Sequence, residues 1–360
     1  MTRLGIVGCG IMGKNHAESI LNGSVNGAEL TAICDTSPTA LEWAKDKGLK
    51  TFATTTELFD SGTIDAVIIA TPHYDHPIIA MQAMAKKIHV MIEKPAGVFT
   101  KNVREMNKQA ETAGVVFAIM YNQRTNPMYR KMREIVQSGE LGELKRTSWL
   151  ITDWYRPQAY YNAGGWRATW KGEGGGVLIN QCPHNLDLWQ WICGMPKRVT
   201  AFAQNGKWHD IEVEDDVTAY VEYENGATGV FVTSTADCPG TNRFEILGDL
   251  GKLVYESGEL VHYKLDISER EFNRTNTEMF AAPKSTRIEL SVPGDGTQHV
   301  GVLNAFVQKI NSEGELIANG AEGINGLTIS NAIHLSSWLS KTVELPLDED
   351  LFLSELTKRF

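Results

Sequence analysis

Cysteine is scarce in this sequence. There are five in 360 residues, Cys9, Cys34, Cys182, Cys193 and Cys238. Their odd number and wide scatter offer neither a disulfide framework nor metal-ligand spacing, and reduced thiols in the cytoplasm are expected. Long apolar runs are missing too: none approaches the roughly 20 residues that span a bilayer. Positive charge is in deficit, with 34 Lys and Arg against 44 Asp and Glu and a net charge of -10. That balance argues against nucleic acid or an anionic membrane as the main partner. The first residues enter a strand pattern broken by glycines and followed by Lys14, which makes a poor signal peptide. Without a secretion signal, the sequons Asn22-Gly23-Ser24 and Asn273-Arg274-Thr275 read as chance.

What is present has the composition of an ordinary globular protein, 42% hydrophobic and 22% charged, at a length that suits two domains. Residues 1–121 alternate short apolar strands with helical segments. Arg3–Gly8 reads as a first strand, Gly13–Leu21 as a helix and Glu29–Cys34 as a second strand. Ala66–Ala70, His89–Glu93 and Val115–Met120 continue the set, with a helix over His76–Ala85. This is the pattern of an α/β, doubly wound parallel sheet, a Rossmann domain. Residues 122–360 differ. An aromatic stretch at 149–170 and the run Gly172-Glu173-Gly174-Gly175-Gly176 precede alternating strands at 197–292, and helical patterns return after 303. An α+β domain with a large, mostly antiparallel sheet is expected there.

Gly8-Cys9-Gly10-Ile11-Met12-Gly13 follows the first strand and opens a helix. Such a turn lets backbone approach a pyrophosphate, which then meets the helix N-terminus. Asp35 ends the second strand 22 residues beyond Gly13, placed to accept hydrogen bonds from ribose hydroxyls. No arginine follows it to neutralise a 2′-phosphate, so the expected cofactor is NAD rather than NADP. The third segment is Ile92-Glu93-Lys94-Pro95, at a strand end on the ligand-binding edge of such folds. A proline there fits a cis or sharply turned peptide, and a lysine in a dry cleft can donate to a substrate oxygen. Further along, Asn180, His184 and Asp187 are spaced four and three apart, one face of a helix. His184 has the side chain best suited to take a proton from an alcohol near neutral pH.

Together, the glycine fingerprint, Asp35, Thr71-Pro72 with His76, Glu93-Lys94-Pro95 and the glycine run leading to Asn180 and His184 resemble the glucose-fructose oxidoreductase/inositol dehydrogenase/rhizopine-catabolism family. The resemblance covers essentially the whole chain. It implies that Lys94 and His184 are the catalytic pair. It places Thr71 and Pro72 beside the nicotinamide, adds His76 and Glu93 to the cofactor side, and makes Trp166 and Arg167 contacts to the nicotinamide half. Many polyol dehydrogenases of the family carry aspartate where this chain has Asn180; a neutral amide cannot stabilise imidazolium by charge, and Asn180 is read as substrate-binding. Asn122 and Arg124, Tyr155 and Arg156, and Asp187 complete the expected substrate contacts.

The implied activity is NAD-dependent oxidation of a secondary hydroxyl on a sugar, glycoside or polyol. The run from Thr152-Asp153-Trp154-Tyr155-Arg156 to Trp170 is also similar to a subgroup of gut bacteria that oxidises carbon 3 of glucosides. Two alternatives keep the same fold: a self-recycling, redox-assisted glycoside-cleaving enzyme with tightly held NAD, and a non-catalytic sugar or nucleotide sensor. His73, Asp75 and His76 lack clear metal-ligand spacing, and no metal is expected. The family commonly pairs through the second domain's sheet, which implies a homo-oligomer, a dimer or a tetramer.

Overall fold

The computed structural model describes residues 1–360. Six parallel strands make the first sheet: β1 (Thr2–Val7), β2 (Ala28–Cys34), β3 (Lys50–Phe52), β4 (Ala66–Ile69), β5 (His89–Ile92) and β6 (Phe117–Ile119). Their order is β3-β2-β1-β4-β5-β6. The helices between them are α1 (Ile11–Leu21), α2 (Pro38–Asp46), α3 (Thr55–Asp60), α4 (Asp75–Ala85) and α5 (Thr100–Ala113). The order reverses between β1 and β4, and in such sheets ligands bind at that switch, off the carboxyl ends of the strands. β4 and β5 are buried almost throughout, which is why both read as continuous apolar runs without alternation.

The second sheet has nine strands. They are β7 (Leu144–Ile151), β8 (Arg198–Asn205), β9 (Glu214–Glu222), β10 (Thr228–Ser234), β11 (Asn242–Gly248), β12 (Gly251–Glu256), β13 (Glu259–Leu265), β14 (Ser285–Leu290) and β15 (Val343–Glu344). β7 and β10 pair in parallel, and the remaining pairings are antiparallel. Helices α6 (Pro127–Gln137), α7 (Gln158–Asn162), α8 (Pro183–Cys193), α9 (Glu269–Thr275), α10 (Gln298–Ile310), α11 (Gly323–Leu339) and α12 (Glu349–Thr357) complete the chain. The centre of this sheet's buried face is aromatic. Trp149 stacks on Phe244 at 4.2 Å between ring centres, and Trp189 stacks on Phe231 at 5.4 Å. No helix is long and apolar enough to cross a membrane.

The two compact units do not follow the simple division at residue 121. The first comprises Met1–Asn126 with Gly296–Leu327, and the second Pro127–Asp295 with Thr328–Phe360. The return of 296–327 to the first unit corrects the expected single C-terminal domain over 122–360. Its cause is burial: Val302, Leu303, Phe306 and Val307 of α10 pack on Leu4, Ile6, Ile33 and Ile68 of the parallel sheet. Those β-strand side chains need an apolar cover, and a segment some 300 residues downstream supplies it.

Candidate active site

In the first unit, the turn after β1 carries the cofactor chemistry. Gly8 has φ +90°, and a Cβ there would lie 2.6 Å from the Ala70 carbonyl oxygen. At Gly13 a Cβ would lie 1.9 Å from the Gly8 oxygen, so helix–strand packing demands its absence. Gly10 is different. It is exposed, and a Cβ would meet nothing within 4 Å. The fold itself makes no demand for glycine at position 10, but a ligand backbone laid against the turn would. Gly10 caps α1 without a side-chain acceptor. The first helical N–H groups have no intrahelical partner and face the same side as an incoming anion.

Asp35 closes the other side of this turn. Its Oδ2 accepts the Cys9 N–H at 2.6 Å and its Oδ1 accepts the Ser37 N–H at 2.7 Å. The carboxylate is therefore fixed at the carboxyl end of β2 while staying partly exposed. Thr71, after β4, has a buried Oγ1 with no hydrogen-bond partner. Open space at Gly10, a held carboxylate and an unsatisfied hydroxyl at the strand ends fit a dinucleotide with an unsubstituted ribose. Exposed Ile11 and half-buried Met12 flank the turn.

Two buried side chains support the Lys94 loop. Glu93 is 5% exposed; its Oε1 pairs with His16 Nε2 at 2.6 Å and its Oε2 accepts the Lys94 N–H at 3.1 Å. Burial alone would raise its pKa. The His16 hydrogen bond and the charges of His16, Lys94 and His299 outweigh burial and hold it down at about 2. His76 is 1% exposed, with Nδ1 2.7 Å from the Pro95 carbonyl oxygen and Nε2 2.9 Å from that of Thr71. Burial lowers its pKa, against the pull of those two carbonyls and of Glu93 and Asp75. A neutral imidazole donates to only one of them. His76 thus ties the β4 and β5 loops together, and its ring is taken up by those two carbonyls. Glu93 supports the loop that carries half-buried Lys94. The Lys94-Pro95 peptide is cis.

Asn122 and Arg124 were expected to meet substrate, and the fold buries both. Arg124, 2% exposed, pairs with Glu322 at 2.6 Å. Asn122 Nδ2 donates to Gln298 Oε1 at 2.7 Å. Both partners lie in the returning segment, so this burial has the same origin as the domain boundary.

In the second unit the glycine run forms a tight turn pinned from below. Glu214, fully buried, accepts the N–H groups of Gly176 and Leu178 at 2.9 and 3.0 Å. α8 begins only at Pro183, so Asn180 sits in the preceding turn rather than on the helix. The Asn180 N–H still reaches the Gly176 carbonyl at 3.0 Å, the helical step that the spacing implied. His184 is half-buried on the first turn of α8. Asp187 is 1% exposed and accepts Gln190 Nε2 at 3.0 Å.

The aromatic stretch divides. Trp149, Tyr161 and Trp170 are core, whereas Trp154, Tyr155, Tyr160 and Trp166 keep exposed surface. The Arg156 guanidinium lies 5.2 Å from the Tyr160 ring centre. Its backbone carbonyl meets His209 Nε2 at 2.8 Å, and His209 Nδ1 meets buried Asp215 at 2.9 Å. Arg167 stacks on Trp166 and Tyr160 and donates to the Tyr160 hydroxyl at 2.9 Å. One member of this cluster was missed in the sequence. Glu173, 2% exposed, accepts the Ala168 N–H at 2.6 Å and the Asn180 side-chain amide, and lies 4.0 Å from Arg167. Its only signal was one charged residue within a glycine run.

Residues 2–121 match the oxidoreductase family, NAD-binding Rossmann fold, and residues 129–254 match the GFO/IDH/MocA C-terminal domain. The chain is 31% identical over 192 residues to the rhizopine catabolism protein MocA of Rhizobium meliloti, covering 53% of this chain and 57% of that protein. It is 25% identical over 263 residues to myo-inositol 2-dehydrogenase of Thermotoga maritima, 71% of this chain and 75% of that one. Among solved structures it is similar to the WlbA dehydrogenase of Bordetella pertussis in complex with NADH and UDP-GlcNAcA. There the TM-score is 0.81 and the identity 27%, covering 96% of this chain and 99% of the other.

Proposed function

The chain belongs to the GFO/IDH/MocA family of NAD-binding oxidoreductases, and from that premise we propose that it oxidises a secondary hydroxyl of a sugar, glycoside or polyol. The observation that carries the reading is the turn at Gly10, open where the fold needs no glycine, beside a carboxylate held by two backbone N–H groups. NAD, when bound, supplies the acceptor for the hydride that leaves the carbinol carbon.

The protein's part is position and proton management. His184 takes the hydroxyl proton, a task suited to an imidazole near neutral pH. Lys94 donates a hydrogen bond to the oxygen as it becomes a ketone. Glu93, held ionised by His16, fixes the backbone N–H of Lys94 and so the start of that side chain. Tyr155 and Arg156 offer a ring and a guanidinium group suited to sugar faces and hydroxyls, with Trp166 and Arg167 toward the nicotinamide half of the cofactor. Within the polyol class the reading favours a glycoside oxidised at carbon 3, supported by the partly exposed aromatic and arginine cluster at 154–167.

The test is a comparison of methyl glucoside, a plant glucoside and free inositol as substrates, with wild type, Lys94→Ala and His184→Ala. Each substitution should lower kcat by about 10²–10⁴-fold and leave the NAD dissociation constant within about threefold. Rapid oxidation of inositol with none of either glucoside would remove the glycoside assignment. Equal losses in kcat and NAD affinity would remove the assigned roles of Lys94 and His184.

A further inference from the structure

We propose that Glu173 is a positioning residue that dictates an amide, not a carboxylate, at position 180. The inference rests on the dehydrogenase reading for its consequences in catalysis, but its structural basis lies wholly within the second unit. Glu173 is buried, and both of its oxygens are acceptors. Oε2 takes the Ala168 N–H at 2.6 Å, and Oε1 takes the Asn180 side-chain N–H. A carboxylate can only accept, so its neighbour at position 180 must donate. Asparagine does; aspartate cannot unless one of the two acids takes a proton.

The pairing also works against protonation of this buried side chain. Burial, the largest influence, leaves the Glu173 pKa above its ordinary value; the Ala168 N–H, the Asn180 amide and the charge of Arg167 oppose that rise, while the charge of Glu214 adds to it. A second carboxylate at position 180 would bring like charge to a site already crowded by Glu214. The Asn180 orientation is thereby set by the protein rather than by substrate. Glu173 further joins the two segments of the candidate substrate site, because its other oxygen holds the 164–170 loop through Ala168, a residue with φ +55°.

The chemistry makes a specific swap informative. In Glu173→Gln the Ala168 N–H keeps the amide oxygen, so the new NH₂ faces Asn180 and forces its amide to turn over. In Asn180→Asp two acceptors face each other. In the double variant, the amide at 173 donates to the carboxylate at 180, and the complement is restored with the roles exchanged.

The experiment uses four full-length proteins: wild type, Glu173→Gln, Asn180→Asp and the double variant. Melting temperature is followed from pH 5 to 9 without substrate, and kcat/KM is measured with the sugar that wild type oxidises. Asn180→Asp should melt lower as pH rises, because the facing acids lose their shared proton, and should lose about ten- to a hundredfold in kcat/KM. Glu173→Gln should lose about tenfold in kcat/KM with no new pH dependence. The double variant should recover a flat pH profile and most of the lost kcat/KM. A merely structural Glu173 predicts no such rescue, and a double variant no better than Asn180→Asp overturns the proposal. An Asn180→Asp protein as stable and active as wild type does the same. If the melting data behave as expected while wild type forms NADH with no sugar, the Glu173–Asn180 pairing stands and the dehydrogenase reading falls.

Discussion

Adding one methyl group to each glycine of the first turn separates folding from cofactor binding. Gly13→Ala places a Cβ 1.9 Å from a backbone oxygen that cannot move without displacing β1 from α1. Gly8→Ala adds a Cβ at φ +90° and 2.6 Å from the Ala70 carbonyl oxygen. Overpacking and backbone strain of this kind cost roughly 3 kcal/mol each, a fall of about 6–12 °C in melting temperature. Gly10→Ala meets no atom, and its φ of -72° suits alanine. Alanine is a poorer N-cap than glycine, but it also loses less conformational freedom on folding, and the two effects nearly cancel. The stability change should stay within about 1 kcal/mol. NAD binding should suffer instead, because the Cβ occupies the approach of the pyrophosphate. A loss of at least about tenfold, near 1.4 kcal/mol, is expected. Thermal melts of the three apo variants and NADH fluorescence titration of Gly10→Ala make the comparison. If Gly10→Ala melts as low as Gly13→Ala, or binds NADH as tightly as wild type, the division of labour among the glycines is refuted.

Two further perturbations follow from the same unit. Asp35→Asn keeps an oxygen for only one of the two backbone N–H groups, from Cys9 and Ser37, and removes the charge, so NAD affinity should fall by about tenfold and discrimination against NADP should shrink, measured by parallel NADH and NADPH titrations. Glu93 has a folded pKa of about 2, below its ordinary value of 4.5. Its contribution, on the order of 3 kcal/mol, is therefore present above pH 4.5 and lost as pH falls from there through about 2. Glu93→Gln should be less stable at pH 7 and should lose less than wild type on acidification. Denaturant melts between pH 7 and 3 test this, and parallel curves for the two proteins would contradict it.

The nucleotide-binding half was legible because its signals are local. Strand, tight turn, helix and the acidic end of β2 all fall within 35 residues, and each glycine has a steric or ligand reason readable from its place. The burial of Asn122 and Arg124 was not legible because their partners Gln298 and Glu322 lie in a distant segment of the chain. No periodicity near position 122 announces a segment that returns to cover a sheet. Asp187 shares a helical face with His184 by spacing, yet helix spacing does not show that Asp187 is buried and accepts from Gln190. Glu173 was missed for the opposite reason. Its function lies in accepting from Ala168 and Asn180, and a hydrogen-bond partner is not a property of composition.

The most direct test of the central claim is net NADH formation. The purified protein, freed of bound nucleotide, is mixed with NAD and a panel of inositols, free sugars and glycosides, and absorbance is followed at 340 nm. Steady NADH production with one class, abolished in His184→Ala, is the result predicted here. Sugar turnover seen by mass spectrometry with no net NADH, and with NAD retained one to one, would contradict it. That outcome would make the protein an enzyme that oxidises and re-reduces its substrate in place.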